Sequence, residues 1–299
     1  MSGAIRGLVS GRVLPPSRTM RREVFVQSDP LLTRIVDALC AVPGITAIAL
    51  GGSRARGTAH EASDYDIGLY FTTAGPVDIA RLQQAVRALV DDPDAADVTE
   101  LGGWGPWIVG GAWLSIEGRK VDLLYREIDA VARVIAACRS GRIEMHYQPG
   151  HPHGFVSAIW MGEVALCRVL YDPTRALTDL KASCTPYPAA LREAIIRRFQ
   201  WEISFSVENA ELGLARADHT HIAGCAYRAL ACLAQVLFAL NERYLINEKG
   251  ALLEAASLPR SLPSLALRVA DVWKQIGSSD FRQALSIIRA LEAETRALI

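Results

Sequence analysis

Neither sign of charge is in excess: Lys and Arg together number 32, and so do Asp and Glu. A protein whose main task is to coat a nucleic-acid backbone carries surplus Lys and Arg, so the balance argues against that class while leaving a local basic cleft open. Paired cysteines are also lacking. The six present (Cys40, Cys138, Cys167, Cys184, Cys225 and Cys232) form no CxxC pair, and most sit in apolar runs. They read as small buried hydrophobes in a reducing compartment, not as a disulfide framework. A long uncharged apolar run is missing too. The most apolar window, Ile222–Leu240, contains Arg228 and Gln235; a lone membrane span rarely tolerates an arginine at mid-helix, so a buried core helix is expected. Residues 1–22 are rich in Arg, Gly, Ser and Pro without the apolar core of a secretory signal. They are expected to form a poorly ordered arm, and the protein is expected to be cytoplasmic with no membrane partner. Internal repeats and low-complexity tracts are absent, and nothing in the sequence sets the oligomeric state.

What remains is a globular composition. The chain has 299 residues, 51% of them hydrophobic and 21% charged, which suits about two domains and a sizeable core. Short apolar runs alternate with helical stretches through the first part. Asp29–Ala41 reads as a helix capped at Ser28-Asp29-Pro30, Ile45–Leu50 as a buried strand, Asp66–Phe71 as a second strand and Val77–Val90 as a helix. Val98–Leu101 reads as a short strand, and 102–111 as a Gly-rich loop holding Trp104 and Trp107. Ala112–Ile116 and Lys120–Tyr125 make a hairpin across Glu117-Gly118-Arg119, and Ile128–Arg139 a helix. The segment 149–185 connects, with a helix over Phe155–Cys167 and an extended piece at Arg168–Tyr171. Beyond it, Ala189–Leu214, 222–241, Leu265–Ile276 and Phe281–Leu298 have helical period and length, broken at Pro186, Pro188, Pro259 and Pro263. The fold class is therefore α/β: a small mixed sheet followed by an all-α bundle.

The stretch that carries chemistry runs from Gly51-Gly52-Ser53-Arg54-Ala55-Arg56 to Ser63-Asp64-Tyr65-Asp66. A strand ending in Gly-Gly-Ser exposes backbone N–H groups where no side chain obstructs approach, and such a nest binds phosphate oxygens. Ser53 adds a hydroxyl. Of Arg54 and Arg56 one is expected to reach phosphate, and Arg56 is preferred. Asp64 and Asp66 lie two apart on an expected strand, so both carboxylates face one side, roughly 6.5–7 Å apart along the chain. Tyr65 and Ile67 then face the interior. Asp122 stands in the apolar strand Val121-Asp122-Leu123-Leu124-Tyr125, where a carboxylate is out of place unless paired or metal-bound. Three carboxylates beside a phosphate nest suit metal-assisted phosphoryl or nucleotidyl transfer, with two ions about 3.5–4 Å apart.

These residues resemble the signature of the DNA polymerase beta-like nucleotidyltransferase superfamily. That pattern is Gly-Ser, roughly ten residues, Asp-hydrophobic-Asp, and a third Asp on a later strand, with the Gly-rich element cradling phosphate. A compact sheet domain with a helical bundle behind it looks like the small-molecule branch, the aminoglycoside and lincosamide nucleotidyltransferases. The resemblance covers about residues 29–140. It implies a nucleotidyltransferase domain at 23–148 and a helical domain at 186–299. It also implies that Gly52, Ser53 and Arg56 bind the nucleotide's phosphates. Asp64, Asp66 and Asp122 would hold two Mg²⁺ ions and form the catalytic set. The donor is then ATP or another NTP, and a nucleoside monophosphate, AMP by first expectation, passes to an acceptor hydroxyl on a small molecule such as an antibiotic. The rival readings are a toxin-like transferase acting on tRNA or protein, with tRNA ranked behind a small molecule, and a non-catalytic nucleotide-binding protein of the same fold.

Other motifs are weaker. His146, His151 and His153 cluster in one loop; a zinc site there lacks a fitting fourth ligand, and a loop beside the acceptor or a plain turn is preferred. Arg216 and His221 resemble the Arg-x4-His motif of HEPN-type ribonucleases, against the plainer reading of a solvated helix connection. Glu163, Glu202 and Glu208 are candidates for the base that deprotonates the acceptor, alongside Asp122 itself. Trp104 and Trp107 either stack on a ligand ring or pin their loop to the core.

Overall fold

The computed structural model describes residues 29–299. The expected N-terminal arm, 1–22, lies outside the described residues. The described chain opens with α1 (Pro30–Leu39), capped by Asp29, whose side chain accepts from the N–H groups of Leu31 and Leu32. Such a cap is worth about 1 kcal/mol. β1 (Ala47–Leu50) is fully buried and leads into a short helix, α2 (Gly52–Arg56). Then come β2 (Tyr65–Phe71), α3 (Ile79–Arg87), β3 (Gly111–Ile116), β4 (Arg119–Glu127) and α4 (Ile128–Arg139).

Two small strands, β5 (Met145–His146) and β6 (Phe155–Val156), pair with each other. They precede α5 (Ala158–Leu166), β7 (Arg168–Tyr171) and α6 (Ala176–Ser183). The rest is helical: α7 (Ala189–Gly213), α8 (His219–Leu240), α9 (Ala251–Ala256), α10 (Leu265–Gly277) and α11 (Phe281–Leu298). A mixed sheet followed by a mainly helical region is the architecture expected from the sequence.

The main sheet has the order β3-β4-β2-β1-β7. Only β2 and β4 run parallel; the other pairs are antiparallel. Residue alternation gives the sheet two faces. Ile48, Leu50, Tyr65, Ile67, Leu69, Val121, Leu123 and Tyr125 join α1 and α3 in one core. Ala47, Ala49 and Tyr70 face the other way and join a second core built from α4, α5 and the C-terminal helices. The helical region therefore packs directly on the sheet. The apolar helix α8 is the centre of that second core, contacting α7, α9, α10 and α11. It is long and apolar enough to cross a membrane, but most of it is buried inside the protein, as its Arg228 and Gln235 suggested.

Several expectations need correction. Val98–Leu101 forms no strand; Thr99 instead closes the 99–111 loop through its backbone and hydroxyl contacts with Gly111. The helix expected at Phe155–Cys167 begins only at Ala158, because Phe155 and Val156 are held by β5. The extended piece Arg168–Tyr171 is the fifth strand of the main sheet, paired with β1, so the connecting segment contributes to the sheet. Helices α6 and α9 were not anticipated; each is short and shows no long amphipathic stripe.

Candidate functional site

The chain leaves β1 at Gly51 and turns at once into α2. Gly51 donates its N–H to the carbonyl of Asp66 at 2.7 Å, which ties the turn to β2. Gly52 has a positive φ of 58°, and a Cβ there would lie 1.7 Å from Asp66 Oδ2. Both facts demand glycine: the turn needs left-handed backbone, and the Asp66 carboxylate occupies the space a side chain would take. The first N–H groups of α2 have no helical carbonyl to accept them, and among the described residues the Ser53 hydroxyl has no protein partner. The sequence-expected phosphate nest thus sits against Asp66.

Asp66 and Asp122 are register partners on the parallel strands β2 and β4. Neighbouring strands lie about 4.8 Å apart, and in-register residues share a face. The two carboxylates therefore stand side by side on the face opposite Tyr65 and Ile67, which are buried as anticipated. Asp64 lies one residue before β2, not on it. Its position is set by Arg54. That guanidinium stacks on the Tyr65 ring, 3.8 Å from its centroid, and donates to the carbonyls of Ser63 and Asp64. Tyr65 in turn donates to the Asp29 carboxylate that caps α1. Arg54 thus positions the loop that carries Asp64. Sequence reasoning undervalued it, although a Tyr beside the aspartates was the available signal.

The acids feel one another. Burial first, then the charges of Asp122 and Asp64, push the Asp66 carboxyl up to about 6. Burial and Asp64 also raise Asp122. Lys249, in the turn before α9, acts in the opposite sense on both. It was not singled out from the sequence, where it stands far along the chain with nothing to link it to the aspartates. Among the described residues no hydrogen bond or ion pair reaches the three carboxylates.

Three oxygen-donor acids that repel one another, partly withdrawn from water and unpaired by protein donors, fit a hard divalent cation such as Mg²⁺ in donor chemistry. Among the described residues no group of three His, Cys, Asp or Glu side chains stands close enough together to hold a metal ion as placed, Asp64, Asp66 and Asp122 included.

Other candidates already have protein partners or lie apart from the acids. Arg56 donates to Glu254 of α9 at 3.0 Å, joining α2 to the helical region. Glu163 on α5 is gripped by the buried Arg126 through two bonds of 2.9 Å, so both its oxygens are occupied. It is near enough for its charge to act on Asp66, yet it is not a free base. Glu202 pairs with Arg228 in the helical core, and Glu208 is exposed on α7. Neither takes part in the aspartate cluster.

The three histidines disperse. His146 contacts Glu144, His151 contacts Glu248, and His153 is buried against Arg228. They do not gather as zinc ligands. Arg216 ends a 3₁₀ turn, while the His221 ring meets the Asn209 carbonyl at 3.1 Å. Trp107 packs among Phe155, Trp160 and His146, and its carbonyl accepts from the Trp160 indole; it pins its loop. Trp104 instead stacks on Trp113.

Residues 32–137 match the family model described as nucleotidyltransferase domain. Residues 160–249 match one described as a domain of unknown function, DUF4037. No curated protein matches the chain. Among solved structures, a nucleotidyltransferase-like protein from Exiguobacterium sibiricum is similar at 12% identity and a TM-score of 0.40, over 86% of this chain and 71% of that one. A likeness that distant carries no weight here. Residues 32–137 are thus similar to nucleotidyltransferase domains, and residues 160–249 to a family with no assigned role.

Proposed function

We propose that the protein moves a nucleoside monophosphate, AMP in the first instance, from a nucleoside triphosphate to a hydroxyl on a small-molecule acceptor. The observation that carries this reading is the register pairing of Asp66 with Asp122 beside the Gly52-Ser53 turn. Divalent ions, when bound by Asp64, Asp66 and Asp122, would supply charge neutralisation at the α-phosphoryl group and its leaving oxygen.

The chain's own residues do the rest. The backbone of Gly52 and Ser53 and the Ser53 hydroxyl cradle the β- and γ-phosphates. Lys249 adds positive charge from the helical side. The acceptor oxygen bonds to the α-phosphorus as the bond from that phosphorus to the β-bridging oxygen breaks. The electron pair leaves with pyrophosphate, and Asp122 takes the acceptor's proton. The neutral overall charge supports a small acceptor over a polyanionic one.

The test is incubation with Mg²⁺ and α-labelled ATP in the presence of aminoglycosides, lincosamides, tRNA or the protein alone. Label on a small molecule with stoichiometric pyrophosphate, lost in Asp64→Asn, is the expected result. Label on tRNA or on the chain itself transfers the reading to a macromolecular acceptor. No pyrophosphate release with any of them overturns it.

A further inference from the structure

Trp113 lies on β3 directly opposite Asp122, which lies directly opposite Asp66. In-register residues of neighbouring strands share a face, so one row crosses the sheet: Asp66, Asp122, Trp113. The indole is 70% exposed, in contrast to Ala112 and Leu114 on either side, which are buried in the opposite face. Trp104, from the Gly-rich loop, stacks on it with ring centroids 4.4 Å apart and an 18° tilt. Gly111 is required by the β4 backbone, where a Cβ would lie 1.7 Å from the Leu123 carbonyl oxygen, and the Trp104 ring packs 3.1 Å from the same point. The result is a two-indole platform beside the acids, open to solvent and unused by the core. A tryptophan this exposed on a sheet face forgoes most of the stabilisation its burial would give.

The direction of the row decides what the platform meets. The phosphate nest follows β1, on the far side of Asp66 from Asp122, and the platform is on β3, beyond Asp122. In an in-line displacement the leaving group and the attacking oxygen stand on opposite sides of the phosphorus. With pyrophosphate held on the β1 side, the acceptor enters from the β3 side.

We propose that Trp113, backed by Trp104, is the acceptor-binding platform and takes an acceptor whose hydroxyl sits on or beside a ring with an apolar face. This assignment rests on the transferase reading for its direction. Indole faces hold such rings by dispersion and by attraction to C–H edges or a neighbouring cation. A saccharide ring and a nucleoside base share that chemistry.

The test uses the full chain and its Trp113→Thr variant, a substitution suited to an exposed strand position. Intrinsic fluorescence is titrated with kanamycin, methyl glucoside, adenosine and a short single-stranded RNA, and Mg-ATP binding is measured separately. Quenching by a ring compound, with affinity about tenfold weaker in Trp113→Thr and Mg-ATP affinity unchanged, is expected. Kanamycin and methyl glucoside against adenosine distinguish the saccharide source from the nucleoside source. Absence of quenching by every ring compound, or equal affinity in the variant, overturns the proposal. So does a loss of Mg-ATP affinity, which would make the platform a donor-base site, or a response to RNA alone. Where a labelled acceptor is found, its KM rises about tenfold in Trp113→Thr with kcat little changed. Transfer with an unaltered KM sinks the platform and leaves the transferase intact. Ring binding without any pyrophosphate release does the reverse.

Discussion

Asp66 is asked to ionise where ionisation is unfavourable. Its carboxyl is pushed from 3.8 up to about 6, chiefly by burial and next by Asp122 and Asp64. A raised carboxyl favours the folded state when protonated. The contribution is present below the ordinary carboxyl value and is lost as pH rises through about 6, so at neutral pH the charged form opposes folding. Removing the charge should therefore help the fold and ruin the chemistry. Asp66→Asn is expected to gain about 1–3 kcal/mol of unfolding free energy near pH 7.5 without divalent ions, a gain that shrinks towards pH 4. Nucleotidyl transfer should fall at least about 10²-fold in the same variant. Urea unfolding at the two pH values checks the first statement and label transfer the second. A variant less stable at neutral pH would show that Asp66 is held by protein contacts instead of repelled by its neighbours. Mg²⁺ should stabilise the parent chain and leave the variant nearly unaffected.

At the scale of elements, the site depends on how β4 is fastened to α5. Arg126, two strand-alternations beyond Asp122, is 3% exposed and forks onto both oxygens of Glu163. Breaking a buried pair strands the surviving charge, so Arg126→Met should cost about 3–5 kcal/mol, and Glu163→Leu added to it should recover much of that. Chemical unfolding of the single and double variants measures the difference; equal stability of both would mean the pair is not coupled.

The same strands explain what could be read from sequence. The two-residue period predicted Asp64 and Asp66 on one face of a single strand, and an acid inside Val121–Tyr125 had to lie on the polar face. Even so, Asp64 sits just outside β2, because strand ends are set by pairing partners and not by composition. Trp113 was out of reach because its place beside Asp122 is a matter of hairpin register. The edge strand β7 and the α9 turn bearing Lys249 become meaningful only through tertiary packing, which local pattern does not encode.

At the scale of the whole molecule, two family matches lie along one chain, yet they do not mark two independent bodies. The second core takes Ala47, Ala49 and Tyr70 from the sheet together with Ile135 of α4, Phe155, and Leu191, Phe199 and Leu233 of the long helices. β7, from the region after residue 149, completes the sheet beside β1. The ion pair from Arg56 to Glu254 crosses from α2 to α9 close to the nest, though a partly exposed pair of this kind adds at most about 1 kcal/mol. Apolar burial on the shared sheet face, not that pair, is what couples the halves, since it scales with area removed from water. The N-terminal part, through α4, stripped of its helical neighbour would present Ala47, Ala49, Tyr70 and Ile135 to solvent, and all four are nearly inaccessible in the intact chain. The full chain should therefore unfold in a single transition. Tryptophan fluorescence, which reports the 104–113 loop among other sites, and far-UV circular dichroism, dominated by α7, α8, α10 and α11, should give coincident urea midpoints. Separate midpoints would mean that the sheet and the bundle hold together independently, and that the helical region meets the aspartate cluster only as a detachable wall.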